Sequence, residues 1–250
     1  MMSGLYRKVD LHYFDAIGDI HGCYRELTEL LDKLGYPVDP GQGRIRGVPD
    51  GRRLIFLGDF TDRGPEPVRV LRLAMGAVEA GFALSVRGNH EEKILQKLVK
   101  NTPAKEEVME TLYAIRGEGE EFINRVKRFI TGLPYVILCS DFCLVAHAGL
   151  KEEFQDIETR DQKRIGKIRS LTIYGDITGK KLPDGKPERL DWASSYSGGL
   201  TVIYGHSIVD EAVWRNNTIN IDTGCFETGI LTAVRMPEKV IVDNIRDRSG

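Results

Sequence analysis

The chain has 250 residues, with 35 Lys or Arg against 37 Asp or Glu and 41% apolar residues. A net charge of −2 and a pI near 6.2 exclude nucleic-acid binding by bulk positive charge, and the absence of any apolar run near 18 residues excludes a helical membrane span. Four cysteines, at 23, 139, 143 and 225, are too few for a disulfide framework, and the length admits one large α/β domain or two small ones.

A short apolar run over 14–17 ends at Gly18, and residues 24–34 then place Leu27, Leu30, Leu31 and Leu34 at helical spacing. Asp19 and His21 therefore fall on the turn between a strand and a helix. Residues 53–57 form a second strand and 59–64 its exit loop; Pro65, suited to a first helical turn, opens a helix to about residue 80. A third strand over 82–86 leads into RGNHE and a helix over 91–100. Strand, polar loop and helix thus occur three times, which predicts a parallel half whose loops leave the carboxyl ends of strands, where open sheets bind ligands. Residues 101–132 are charged and helical, with Val126, Phe129 and Ile130 on one face, and are expected to form a helical insertion over the site.

The second half predicts a hairpin, 135–139 and 142–146, with Cys139 and Cys143 as half-buried thiols flanking its turn. Strands over 201–204, 211–214, 218–221, 230–235 and 240–242 alternate like antiparallel ones. Residues 176–192 are rich in Gly, Pro, Lys and Asp and read as a mobile loop. The basic run Lys163, Arg164, Lys167 and Arg169 reads as a solvated helix face rather than a nucleic-acid patch. The start MMSGLYRKVD has no apolar signal core, which predicts a cytoplasmic protein.

Four of the five histidines stand in short glycine-bracketed motifs: GDIHG at 18–22, RGNHE at 87–91, HAG at 147–149 and YGH at 204–206. A further motif, GDFTDRG at 58–64, adds two carboxylates and an arginine. Asp, His and Asn at strand tips are donors that divalent transition metals prefer. Each motif alone has a plainer reading, as a turn or a hydrogen-bonded histidine. Five in one chain favour convergence on a metal centre.

In this order the motifs resemble the phosphoprotein-phosphatase branch of the calcineurin-like metallophosphoesterases. The segments AIGDIHGCYREL, LYAIRGEGEEFINRVKRFITGLP, TIYGDITGK, DWASSY, INIDTGC and GILTAVRMPE bring the likeness nearest to the phosphatase domain of bacterial polynucleotide kinase-phosphatases, over about 14–243. The resemblance implies a single domain over 1–250 with an α/β fold containing α+β elements: a sandwich of two mixed β-sheets flanked by α-helices. It implies two divalent metal ions, Asp19, His21 and Asp59 holding the first and Asp59, Asn89, His147 and His206 the second, with Asp59 bridging. Oxygen and imidazole donors suit Mn²⁺ best, with Fe, Zn or Ni as alternatives. A metal-bridging hydroxide would attack phosphorus in line.

The resemblance also implies roles around the metals. His90 protonates the leaving oxygen, Asp62 orients His90, Arg63 grips phosphate, and Arg87 binds substrate or braces the site. Asp222 is expected to accept a hydrogen bond from a metal-bound histidine. Glu91 reads as an acid that complements a helix start, and Gly224 and Cys225 as turn and core residues.

The implied activity is a phosphomonoesterase or 2′,3′-cyclic phosphodiesterase on nucleotides or RNA ends. A serine/threonine protein phosphatase acting on phosphoproteins and a symmetrical diadenosine tetraphosphate hydrolase are alternatives, and a catalytically silent scaffold is the reading from another class. Asp62 tips the balance towards monoester or cyclic-phosphate chemistry and away from the symmetrical hydrolases, which commonly lack an acid there. No GxxxxGK[ST] loop occurs, so the chain cannot supply a kinase step.

Overall fold

The computed structural model describes residues 4–49, 51–100, 106–183, 185 and 187–245. The chain opens with strand β1 (Tyr6–Val9) and continues through β2 (Phe14–Ile17), α1 (Tyr24–Leu34), a small β3–β4 pair (Val38–Asp39, Arg44–Ile45), β5 (Arg53–Phe56), α2 (Pro67–Glu79), β6 (Ala83–Ser85) and α3 (Asn89–Lys100). Helices α4 (Glu106–Gly117) and α5 (Glu120–Gly132) follow, then β7 (Val136–Cys139), β8 (Cys143–Ala146), α6 (Gln162–Tyr174) and the pair β9–β10 (Ile177–Lys181, Pro187–Arg189). The last elements are β11 (Thr201–Tyr204), β12 (Trp214–Arg215), β13 (Thr218–Asn220), α7 (Cys225–Thr228), β14 (Thr232–Met236) and β15 (Val240–Asp243).

Two mixed sheets carry the fold. One has the order β15-β14-β2-β5-β6, with β2, β5 and β6 parallel; the other has the order β1-β7-β8-β11-β13-β12. Strand side chains alternate between faces, so each buried strand serves two layers. Phe14, Ala16, Ile55 and Leu57 point between the sheets and meet Ile137, Val145, Ile203 and Ile219 from the other sheet. Ile17, Leu54 and Phe56 face outward, onto a core completed by α1, α2 and the helices up to α5. On the far side, α6 and Trp192 cover Val136, Leu144 and Val202. The sandwich flanked by helices is as expected. Each fully buried Leu of α1 contributes on the order of 1.5–3 kcal/mol to that packing.

Several local expectations shift. Helix α2 starts at Pro67 rather than Pro65, because the Glu66 N–H is used to bond Gly22 O (3.0 Å) and pins the preceding turn to the GDIHG loop. The second half is not simply antiparallel: β8, β11 and β13 run parallel. Alternation reports that one face is buried, not strand direction, and the long connection carrying α6 and β9–β10 supplies the crossover that parallel pairing needs. Strand β1, unforeseen, pairs with β7 at the sheet edge. The Gly- and Lys-rich stretch contains an exposed hairpin, β9–β10, rather than irregular loop throughout. The insertion is helical over α4 and α5; residues 101–105 lie outside the described residues. Cys139 and Cys143 face each other across the hairpin and are fully buried, not half-buried. Lys163, Lys167 and Arg169 lie on the exposed face of α6.

Candidate metal centre

The site residues follow the ends of strands from both sheets. Asp19 and His21 follow β2, Asp59, Asp62 and Arg63 follow β5, and Arg87, Asn89 and His90 follow β6. His147 follows β8, His206 follows β11 and Asp222 follows β13. The two sheets therefore bring their loops to one edge of the sandwich. Asn89 and His90 belong to the first turn of α3, where the sequence pattern placed a loop.

The backbone there is strained. His21, Asp59, Asp62, Arg63 and His206 have φ of 47°, 48°, 68°, 65° and 71°, in the left-handed region that costs a side-chain-bearing residue roughly 1–3 kcal/mol. Tight contacts hold these loops in place. The buried Glu91 carboxylate accepts from the N–H groups of Asp59 (2.7 Å), Phe60 (2.9 Å) and Gly88 (3.0 Å), joining the loops after β5 and β6. Gly88 is required by closeness: a Cβ there would lie 2.2 Å from Asp59 Oδ1.

Two groups of donors converge, and both contain Asp59: His21, Asp59 and His90 form one, and Asp59, His147 and His206 the other. Asp59 Oδ2 lies 3.5 Å from His21 Nε2, 3.6 Å from His147 Nε2 and 4.0 Å from His90 Nε2. The Nδ1–H of His21 donates to Thr61 O (2.8 Å) and that of His147 to Leu57 O (2.9 Å). These bonds fix the tautomers and turn the Nε2 lone pairs inward, the arrangement second-layer partners impose on ligating histidines. His147 Nε2 is 2.9 Å from Asn89 Oδ1 and 3.1 Å from His206 Nδ1. Asp19 sits at the margin of these groups: Oδ2 accepts from the His206 N–H (3.2 Å), while Oδ1 is buried with no hydrogen-bond partner among the described residues and lies 3.9 Å from His147 Nδ1.

Acceptor atoms packed this closely repel unless positive charge lies among them. The carboxyls around Asp59 respond accordingly, whereas Asp59 itself, despite its burial, is held below the usual range by His147, His90 and His21. Burial, then the charges of Asp222 and Asp59, pushes Asp19 well above the usual range; burial, then Asp59, pushes Glu91 up to about 7; burial outweighs a backbone hydrogen bond and, with Asp59, pushes Asp222 up to about 6. Burial lowers His21 to about 4, so its imidazole is neutral at pH 7 and free to ligate. Neutral imidazoles, an amide oxygen and crowded carboxylates are a donor set that fits divalent cations.

His90 Nδ1 is hydrogen-bonded to Asp62 Oδ2, and its ring packs edge-on to His21 at 4.8 Å. Burial disfavours a charged His90, but Asp59 and Asp62 outweigh it and hold its pKa above the ordinary value. Arg63 is exposed, with its guanidinium 4.6 Å above the Phe226 ring. Arg87, which sequence placed among substrate-binding residues or braces, gives its guanidinium to Ile130 O (2.6 Å), Thr131 O (3.0 Å) and Glu92 (3.1 Å), which ties α5 to the RGNHE loop. Asp222 accepts from the Gly224 N–H (3.0 Å) and lies beside Asp19; among the described residues no histidine donates the hydrogen bond expected there. Gly224 takes φ 67° at the start of α7 and Cys225 is buried, as expected.

Three contributors were not anticipated. The loop-lacing role of Glu91 was hidden because its letter also suits a helix start. Thr111 Oγ1 of α4 accepts from the Asp62 N–H (3.1 Å). Arg189 of β10 places Nη2 2.7 Å from His206 Nε2, a contact across the fold that no local pattern encodes.

A sequence profile of the calcineurin-like phosphoesterases matches residues 12–220. The asymmetrical bis(5′-nucleosyl)-tetraphosphatase PrpE of Geobacillus thermodenitrificans is 41% identical over 236 residues, covering 92% of this chain and 93% of that protein. PrpE of Bacillus subtilis, with the same description, is 41% identical, covering 90% and 91%. Among solved structures, a candidate diadenosine tetraphosphatase shares 24% identity at a TM-score of 0.67, covering 96% of this chain and 97% of that one. A Saccharomyces cerevisiae serine/threonine phosphatase shares 16% at 0.59, covering 96% and 82%; at these identities the likeness concerns the fold. Among the described residues no helix is long and apolar enough to cross a membrane. The family match across most of the chain, on a sandwich whose loops gather histidines and carboxylates around Asp59, establishes that this protein belongs to the calcineurin-like phosphoesterases and is a hydrolase acting on phosphoric ester bonds.

Proposed function

We propose that this chain is a two-metal hydrolase that cleaves dinucleoside tetraphosphates asymmetrically, giving a nucleoside triphosphate and a nucleoside monophosphate. The observation that carries the hydrolytic part is the sharing of Asp59 by two donor groups. The substrate rests on relatives 41% identical across nine-tenths of the chain, which bear an asymmetrical tetraphosphatase name. They favour this substrate over the 2′,3′-cyclic phosphate expected from sequence. Asp62, read from sequence as favouring monoester or cyclic-phosphate chemistry, speaks against a symmetrical hydrolase and leaves the asymmetrical reading to rest on the relatives.

Asp19, His21 and Asp59 would hold one cation, and Asp59, Asn89, His147 and His206 the other, with Mn²⁺ best matched to these donors; His90, which falls in the first donor group by distance, is kept as a proton donor because Asp62 takes its Nδ1 and favours its charged form. When bound, such a pair supplies activation of the attacking water and neutralisation of charge at phosphorus. The residues of the chain do the rest. Arg63, exposed at the lip, grips non-bridging oxygens and holds phosphorus for in-line attack. Water oxygen bonds to phosphorus and gives up a proton to solvent, the bond from phosphorus to the bridging oxygen breaks, and His90 passes its own proton to that departing oxygen. Asp62 keeps His90 in the required tautomer and supports its charge. Arg87 braces the RGNHE loop from behind.

The test is hydrolysis of diadenosine tetraphosphate with Mn²⁺, the products resolved by anion exchange. ATP and AMP in equal amounts are expected. Two ADP would make the enzyme symmetrical. Inert diadenosine tetraphosphate beside rapid turnover of 2′,3′-cyclic AMP or a phosphoserine peptide would overturn the substrate assignment.

A further inference from the structure

A cavity of about 360 Å³ opens beside the metal centre, a volume typical of small-ligand sites. It begins at Ala148 and Ser207, each next in sequence to a histidine of the centre, and runs outward over the second sheet to Val213 and Arg215 near β12. Its character changes along the way. Arg189, at the inner end, touches His206 with Nη2 2.7 Å from its Nε2. Farther out, the lining includes the rings of Tyr204 and Trp192, tilted against each other at 4.9 Å, and two large apolar side chains left exposed, Leu190 (51%) and Val213 (59%).

We infer that this cavity is a nucleoside subsite: it takes the base and ribose at one end of the substrate, with Arg189 standing where the phosphate chain leaves the metal centre. This rests on the dinucleotide reading above. Aromatic and aliphatic walls suit a flat heterocycle. The charges decide against a longer polyanion. Asp176, Asp191 and Glu211 face two arginines, and Arg215 is already paired with Asp191 (2.6 Å) and Asp176 with Lys151 (3.1 Å). An RNA strand continuing through the cavity would bring phosphates against carboxylates without the basic track such a path requires. A neutral nucleoside brings none, and carboxylates at the wall are acceptors for ribose hydroxyls. Leu190 and Val213 are also poor candidates for a folding role, because half or more of each side chain is exposed.

The paired substitution Leu190→Ser/Val213→Ser therefore removes the two exposed aliphatic side chains of the wall and leaves the metal-centre residues intact. The Michaelis constant for diadenosine tetraphosphate should rise at least about tenfold, the discrimination that small apolar contacts provide. Turnover of p-nitrophenyl phosphate, which has no nucleoside, should stay within about twofold of the parent. A second measurement needs no catalysis. With Trp214→Phe as background, the remaining indole of Trp192 reports on the cavity, and adenosine added to chelator-treated protein should quench its fluorescence saturably. The paired variant should lose that quench. An unchanged Michaelis constant in an enzyme that cleaves diadenosine tetraphosphate, or quenching by oligoribonucleotide but not adenosine, would overturn the subsite. If the parent fails to cleave diadenosine tetraphosphate at all, the substrate reading falls, and the adenosine titration still decides whether the cavity binds a nucleoside.

Discussion

His90 is confined from every side: Asp62 holds Nδ1, Asp59 lies 4.0 Å from Nε2, and the His21 ring packs against its edge. A histidine kept charged above its ordinary pKa yet buried is prepared to give up a proton at the moment negative charge develops nearby. His90→Ala is expected to retain two Mn²⁺ per chain by metal analysis. Its turnover of an alkyl phosphate, whose leaving oxygen must be protonated, should fall about 10²–10⁴-fold. Turnover of p-nitrophenyl phosphate, whose phenolate departs unaided, should fall far less. An equal loss on both substrates would show that His90 positions the site rather than donating a proton.

Among the elements, α3 does more than cover the sheet. It begins at Asn89, presents a candidate ligand and the candidate acid in its first turn, and sends Glu91 back to clasp three N–H groups of two neighbouring loops. Those loops contain the left-handed residues Asp59, Asp62 and Arg63, so part of the energy that offsets their strain comes from one carboxylate. In Glu91→Gln an amide NH₂ replaces one accepting oxygen and faces a backbone donor. Such a loss costs about 1–3 kcal/mol. For a chain of this size the melting temperature should drop by roughly 3–10 °C in thermal unfolding, with activity reduced because the Asp59 loop loosens. An unaltered melting temperature would mean that the clasp contributes nothing. The strand-to-helix rhythm of the first half was legible in the sequence because its strands are buried on both faces and its helices repeat leucines at 3–4-residue spacing. The direction of β11 and β13 was not, since alternation is the same for parallel and antiparallel partners. Nor was the Arg189–His206 contact, which depends on how far β9–β10 folds back over the sheet.

At the scale of the molecule, the sandwich concentrates electrostatic cost at one edge and leaves it to be offset there. The donor residues were legible because glycine-bracketed Asp and His at strand ends have few other uses in combination, and all of them arrive at that edge. Their crowding could not be read from letters: Asp19 and Asp222 are raised by burial and by neighbouring carboxylates, and each of these two charges weakens the folded state unless a cation neutralises the group. Metal binding should therefore stabilise the whole fold. An ion that binds only the native state adds about 2.7 kcal/mol at a hundred times its dissociation constant. For a chain of this length that raises the melting temperature by roughly 5–10 °C. Chelator-treated protein titrated with Mn²⁺ should show this rise in calorimetry, and metal analysis of the loaded protein should find two ions per chain. In Asp59→Asn the shared carboxylate is gone, so the rise should shrink and the stoichiometry fall below two. The metal-free variant should melt lower than the metal-free parent: burial opposes the Asp59 charge, but His147, His90 and His21 outweigh it and hold the carboxyl below its usual range, so the charge favours the folded state. A full Mn²⁺-dependent rise in Asp59→Asn would show that the two donor groups do not depend on a common ligand, and the two-metal assignment would fail with it.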